Sequence, residues 1–226
     1  MLVDNLIVKN TADGSSTIYN SELDENYHST HGALQEANHV FIQNGLKKAL
    51  VDFKSNKVIH LLEVGLGTAL NCFLTYKYVQ STNIQINYCG IESFPLSLDI
   101  IHQLNYKLSI QEKSEFEALH TANWNKSVEI TDNFILNKQH LIFQNYKHNQ
   151  LFNLVYFDAF GPRVEHRLWD IKIFEKIFKM LTVDGILVTY CAKGQVRRDL
   201  IEVGFKVERL DGPPGKREML RAVKQY

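Results

Sequence analysis

The chain has 226 residues, 45% of them hydrophobic and 22% charged, with 25 Lys/Arg against 25 Asp/Glu. That composition supplies a full core and marks a globular chain of one domain or one domain with an appendage. It excludes a strongly basic or acidic partner-binding chain, no apolar run reaches the roughly 20 residues of a membrane span, and residues 1–10 lack the features of a secretory leader.

Charge is uneven along the chain: residues 193–226 hold nine Lys/Arg and five Asp/Glu, a surplus of +4 that the remainder balances with −4. A basic end of this kind suits either a docked polyanion or an ordinary mixed-charge surface. Cys72, Cys89 and Cys191 are odd in number, widely spaced and set among apolar residues, so reduced thiols in a cytoplasmic protein are expected.

Leu2-Val3 and Leu6-Ile7-Val8 precede the turn signal Asp13-Gly14-Ser15-Ser16, and Thr17-Ile18-Tyr19 follows it, which predicts a hairpin added to the sheet. From Tyr27 the sequence begins polar and turns helical, with Leu34, Ala37, Val40 and Phe41 on one face and a helix running to about residue 50. His28 and His31 have no Cys or carboxylate cluster to complete a ligand set, so no metal is expected.

Residues 58–64 form an apolar run of strand length that meets Gly65-Leu66-Gly67 and then a helical segment, the pattern of a strand, a phosphate-type turn and a helix. The dinucleotide fingerprint places a third glycine where Leu70 stands, whereas an acid at Glu63 and a small residue at Ala69 match the turn of S-adenosylmethionine enzymes. A carboxylate there suits a ligand with an amino group and a sulfonium and repels a pyrophosphate. Residues 83–92 read as a second strand whose terminal Glu92 is placed to hold ribose hydroxyls, or to serve as a helix N-terminal acid ahead of Pro95.

A helix is predicted from Pro95 to about residue 108, and Trp124 in the following stretch fits either a cover over a flat ligand or core filling. Residues 140–143 read as a third strand, and residues 152–158 as a fourth, central and buried on both faces. The fourth ends in Asp158-Ala159-Phe160-Gly161-Pro162, so Asp158 faces the ligand crevice or forms the turn. A helix over residues 168–181, a turn at Asp184-Gly185, a fifth strand at 186–191, a helix at Gly194–Val203 stopped by Gly204, and a closing hairpin of 205–210 with 218–223 complete the chain. The fold expected is α/β: a Rossmann-like, seven-stranded methyltransferase sheet over residues 51–226, with a hairpin and helix addition at 1–50.

Five blocks now stand in order: Leu62-Glu63-Val64-Gly65-Leu66-Gly67-Thr68-Ala69-Leu70-Asn71; Glu92-Ser93-Phe94-Pro95-Leu96; Phe157-Asp158-Ala159-Phe160-Gly161-Pro162 with Leu168-Trp169; Thr189-Tyr190-Cys191-Ala192-Lys193-Gly194-Gln195-Val196-Arg197-Arg198; and Gly204-Phe205 with Gly215-Lys216-Arg217-Glu218-Met219-Leu220. Together they resemble the methyltransferase half of the bacterial bifunctional tRNA-modifying MnmC family and its stand-alone MnmD relatives, over Tyr27 to Leu220. The resemblance implies S-adenosylmethionine as cofactor and methylation of the amine of 5-aminomethyl-2-thiouridine at the tRNA wobble position, giving 5-methylaminomethyl-2-thiouridine. It implies cofactor contacts from Glu36, Glu63, Gly65, Gly67, Thr68, Asn71, Glu92, Ser93, Trp124 and Asp158. Asp158 is also expected at the reacting amine with Tyr190 framing the base, although core packing suits Tyr190 equally. Lys193, Arg197, Arg198, Lys216 and Arg217 are implied as the phosphate surface for the anticodon region. Two departures are Ala159, where the family often has glycine, and the lack of a flavin-binding oxidase segment after Tyr226, so that only the methyl step is expected. The alternatives are a methyl or aminopropyl transferase for a small free amine, and a silent tRNA-binding module.

Overall fold

The computed structural model describes residues 5–147 and 150–225; Leu2-Val3 of the expected hairpin lies outside that range. The N-terminal hairpin forms from β1 (Leu6–Asn10) and β2 (Ser16–Asn20), paired antiparallel from Leu6↔Asn20 to Asn10↔Ser16. It does not join the main sheet as expected. The other edge of β2 pairs with β3 (Glu25–Asn26), so both edges are spent and a separate three-stranded sheet results.

The helix expected from Leu34 is continuous across α1 (Ala33–Ala37), a π-helical stretch (Asn38–Leu46) and α2 (Lys47–Asp52). Wide turns bring Val40, Phe41, Ile42, Gly45 and Leu46 all inward. The remaining elements are β4 (Val58–Val64), α3 (Leu70–Val79), β5 (Gln85–Glu92), α4 (Leu98–Ile101), α5 (Ile110–Thr121), β6 (Ser127–Thr131), β7 (Phe134–His140), β8 (Phe152–Phe157), α6 (Ile171–Met180), β9 (Leu181–Thr189), α7 (Gly194–Val203), β10 (Phe205–Asp211) and β11 (Glu218–Lys224).

The main sheet has the order β10-β11-β9-β8-β4-β5-β7-β6, with β7, β5, β4, β8 and β9 parallel and β11 antiparallel between β9 and β10. Eight strands replace the seven expected because β6 pairs antiparallel on the outer edge of β7. Along β4, alternate residues feed two cores: Ile59 and Leu61 meet the 33–52 helix, α3 and α5, while Leu62 and Val64 meet α6 and α7. All six residues of β8 are buried, as a central parallel strand requires.

Three local expectations shift. The third strand is Phe134–His140, whose inward residues Phe134, Leu136 and Lys138 alternate with less buried neighbours; the apolar run that suggested residues 140–143 instead leads into a short 3₁₀ turn, with Ile142 half exposed. The helix expected over 95–108 is only one capped turn at Leu98–Ile101, after which the Asn105 amide donates to Ser16 Oγ at 3.0 Å. The α5 helix was not anticipated, although Ser109 and Glu112 form a reciprocal capping box at its start.

Gly45 puts the π-helical stretch in direct contact with β8 and β9: a Cβ there would lie 3.0 Å from Val188 and 3.1 Å from the Tyr156 ring. Gly45→Leu is therefore expected to lower stability by about 1–3 kcal/mol through overpacking. Urea unfolding should show a lower midpoint with an unchanged slope.

Candidate active site

The carboxyl ends of β4, β5 and β8 converge where the chain order reverses across the sheet, the place where α/β folds bind ligands. After Val64 the backbone enters the left-handed region at Gly65 (φ 89°), Gly67 (φ 49°) and Ala69 (φ 55°) before α3 begins. The Gly65 and Leu66 amides both donate to the Ile91 carbonyl at 3.0 Å, which folds the turn onto the end of β5. A Cβ at Gly65 would stand 2.6 Å from the Asp158 carbonyl oxygen, so only hydrogen fits between β4 and β8.

Glu92 is clamped by this turn. Its Oε2 accepts the Gly67 amide at 2.9 Å and its Oε1 accepts the Phe94 amide at 2.9 Å. Burial raises its pKa above the ordinary carboxylate value, and those backbone bonds oppose the rise. Asp158 and Glu63 are joined by a single amide: Asn71 Nδ2 donates to Asp158 Oδ2 at 2.7 Å and to Glu63 Oε1 at 2.9 Å. Tyr88 donates its hydroxyl to the other Glu63 oxygen at 2.6 Å. Burial pushes the fully enclosed Glu63 up to about 8, against the pull of those hydrogen bonds. Burial, then the charges of Glu63 and Glu36, hold Asp158 well above the carboxylate range, with Asn71 and Lys216 opposing them. Asn71 Oδ1 is left buried without a partner. Such an orphan costs about 1–3 kcal/mol, so the amide is placed for its two carboxyls rather than for general packing.

Above these groups lies a crevice of about 690 Å³. Its roof comes from the N-terminal sheet and from the loop after β8. Tyr27 packs edge-on against Phe160 with centroids 4.9 Å apart, and Arg163 donates to the Asp24 carbonyl at 2.5 Å and pairs with Glu25 at 3.2 Å. Trp169 Nε1 donates to the Phe160 carbonyl at 2.7 Å, and Tyr190 donates to the Ala159 carbonyl at 2.9 Å, fixing both sides of the loop. His28 sits beneath the roof with Nε2 2.7 Å from Thr68 Oγ1; burial lowers its pKa to about 4, which leaves it neutral at pH 7.

Of the residues singled out in the sequence, Glu36, Gly65, Gly67, Thr68, Glu92, Ser93, Asp158, Tyr190, Lys193 and Lys216 line the crevice. Glu63 and Asn71 stand behind it and reach it through Asp158. Trp124 is elsewhere: it bridges to β7, with Lys138 Nζ 4.7 Å from its ring and the His140 ring 5.9 Å away, so it covers a buried lysine at the sheet edge. Arg197 and Arg198 lie on α7 outside the crevice, Arg198 bonded to Gln195 at 2.7 Å, and Arg217 is exposed on the β10–β11 loop. Sequence reasoning gave no role to Tyr27, Phe160 or Arg163. Phe160 stands inside the quoted aspartate turn, whereas Arg163 acquires its meaning only from partners some 140 residues away.

A family model described as S-adenosyl-L-methionine-dependent methyltransferase matches residues 101–225, which include β8, Asp158, Tyr190 and the closing hairpin. A curated relative from Pseudoalteromonas atlantica, the tRNA 5-methylaminomethyl-2-thiouridine biosynthesis bifunctional protein MnmC, is 24% identical over 99% of this chain and 34% of its own length. The protein of the same name from Leptospira interrogans is 27% identical, with coverages of 90% and 33%. The chain thus spans about a third of the length of these relatives. Among solved structures, MNMC2 from Aquifex aeolicus shares the fold with a TM-score of 0.80 at 24% identity, covering 96% of this chain and 70% of that one. The family match extends over more than half of the chain and takes in the end of β8 with Asp158, so this protein belongs to the S-adenosyl-L-methionine-dependent methyltransferases.

Proposed function

We propose that the chain methylates the exocyclic amine of 5-aminomethyl-2-thiouridine at the tRNA wobble position, giving 5-methylaminomethyl-2-thiouridine. The observation that carries this reading is the place of Asp158: a carboxyl at the end of β8, gripped by Asn71, in the same crevice as the glycine turn and Glu92. The names of the MnmC relatives, which cover nearly all of this chain, support the tRNA substrate.

The residues present fit S-adenosylmethionine. Gly67 leaves space beneath the Tyr27 ring that a side chain would narrow, Gly65 lets the turn pack against Asp158, and Glu92 is an acceptor fixed at the end of β5, where ribose hydroxyls would be held. Bound there, the cofactor supplies an electrophilic methyl group on a sulfonium. The protein's task is then alignment and proton handling, and alignment alone contributes several kcal/mol. An aminomethyl group is largely protonated in neutral water and so lacks a nucleophilic lone pair. Asp158 accepts the N–H bond that orients the amine and takes its proton, and the upward shift that burial and the neighbouring carboxyls give it makes it a stronger base than an ordinary carboxylate. Asn71 keeps Oδ2 of Asp158 in place throughout.

Docking of the tRNA backbone is assigned to Lys193, Arg197, Arg198 and Arg217 on the C-terminal side. Other cations of that segment are engaged: Arg221 pairs with Glu208 at 2.7 Å, Arg209 with Glu218 at 3.7 Å, and Lys224 donates to the Phe178 and Leu181 carbonyls. A second reading, a small free amine as acceptor, is favoured by the six acids that line the crevice: Glu22, Glu25, Glu36, Glu92, Asp158 and Glu165.

Incubation with labelled S-adenosylmethionine and bulk tRNA from cells lacking this methylation separates the two: label is expected in tRNA, and label in free amines alone overturns the tRNA reading. Asp158→Asn should bind cofactor within a few-fold of the wild type yet lose about 10²-fold or more in turnover; calorimetry and single-turnover assays measure the two. Reversing Arg197 and Arg198 to Glu should weaken tRNA binding and flatten its dependence on salt by about two phosphate contacts. An unchanged slope counts against this docking face.

A further inference from the structure

Lys216 stands on the β10–β11 loop next to the exposed Arg217, yet its side chain turns inward. Its ammonium pairs with Glu36 and lies 3.8 Å from the centroid of the Tyr190 ring. Glu36 is 6% exposed, and its second oxygen accepts the Ser29 amide at 2.8 Å; both partners of the ion pair line the crevice. The loop packs closely on the N-terminal segment beside Lys216: a Cβ on Gly215 (φ 86°) would overlap the His31 ring.

Three carboxyls, Glu36, Glu63 and Asp158, share this small region. His28 and Ser29 face it from the roof loop, Asn71 from α3, and Tyr190, Cys191 and Lys193 from the end of β9 and the start of α7. Like charges gathered in a poorly hydrated site force one member to keep its proton, and a protonated Asp158 cannot accept another from the substrate. Among the described residues, Lys216 is the cation bonded to a member of this group. We propose that Lys216 is a positioning residue for methyl transfer: by neutralising Glu36 and holding the Tyr190 ring, it keeps Asp158 free to accept the proton of the incoming amine, instead of binding tRNA phosphate. The inference rests on the amine-methylation reading given above.

Lys216→Met, with Lys216→Arg as the conservative control, tests it on two readouts. Removing a nearby cation raises the pKa of a carboxyl and of a bound ammonium alike, so the acidic limb of the pH–rate profile should move up by about one pH unit. Turnover at pH 7 should fall about tenfold and recover at pH 9, and Lys216→Arg should restore the wild-type limb. The second readout needs neither cofactor nor tRNA: the ¹³C carboxyl resonance of Asp158 should titrate with a higher midpoint in Lys216→Met, and with a lower one in Glu36→Gln, which also serves if the methionine variant does not fold. A limb and an Asp158 midpoint that stay in place, with tRNA KM raised and the salt slope reduced by about one, return Lys216 to the phosphate surface and overturn the proposal. Wild-type protein that methylates no tRNA undoes the substrate reading instead, and leaves the carboxyl titration to decide the role of Lys216.

Discussion

The arrangement of the molecule depends on one close approach. At the switch point of the sheet the backbone of Gly65 passes so near the Asp158 carbonyl that a Cβ would come within 2.6 Å of it. Neighbouring parallel strands lie about 4.8 Å apart, and the Asp158 amide continues the ladder by donating to Val64 at 2.9 Å. The glycine turn and the loop after β8 are therefore packed backbone against backbone. The Phe41 ring, 5.1 Å from Tyr156, and Gly45 brace that packing from beneath through the π-helical stretch. Wide helical turns of this kind recur at functional sites, and here they turn five residues inward, of which Phe41 and Gly45 meet β8, the strand that leads to Asp158.

The electrostatics follow from the same geometry. Strand ends that converge also bring their terminal acids together, and the protein handles each acid differently. Glu92 receives backbone amides, Glu36 a lysine and a backbone amide, and Glu63 a tyrosine hydroxyl and half of an asparagine amide. Asp158 receives the other half of that amide and, unlike Glu63, lines the crevice itself. Carboxyls in different environments separate into structural and chemical roles even when they stand side by side.

Much of this was legible in the sequence wherever a signal is local. The run at Val58–Val64, the two glycines after it, the helix Gly194–Val203 and its stop at Gly204 (φ 112°) all read directly, because strand period, glycine conformation and helix termination are written within a few residues. The α5 helix carries a local signal of a weaker kind: Ser109 and Glu112 spell a capping box, but Ile110 is 91% exposed and the helix lacks a strong apolar stripe. What was not legible is the roof. That Arg163 bonds the β2–β3 turn, that β2 spends both edges in its own small sheet, and that Lys216 pairs with Glu36 are facts about segments far apart in the chain. Trp124 shows the converse: an aromatic near the right strands whose real neighbour is Lys138.

The two tryptophans of the chain fall in separate regions. Trp169 is buried, with its indole N–H anchored to the Phe160 carbonyl inside the loop that roofs the crevice, whereas Trp124 lies at the outer edge of the sheet over a cation. Light absorbed by these two rings samples different parts of the molecule. The protein therefore carries its own fluorophore on the roof loop, and Trp124→Phe would isolate its emission without touching any residue that lines the crevice.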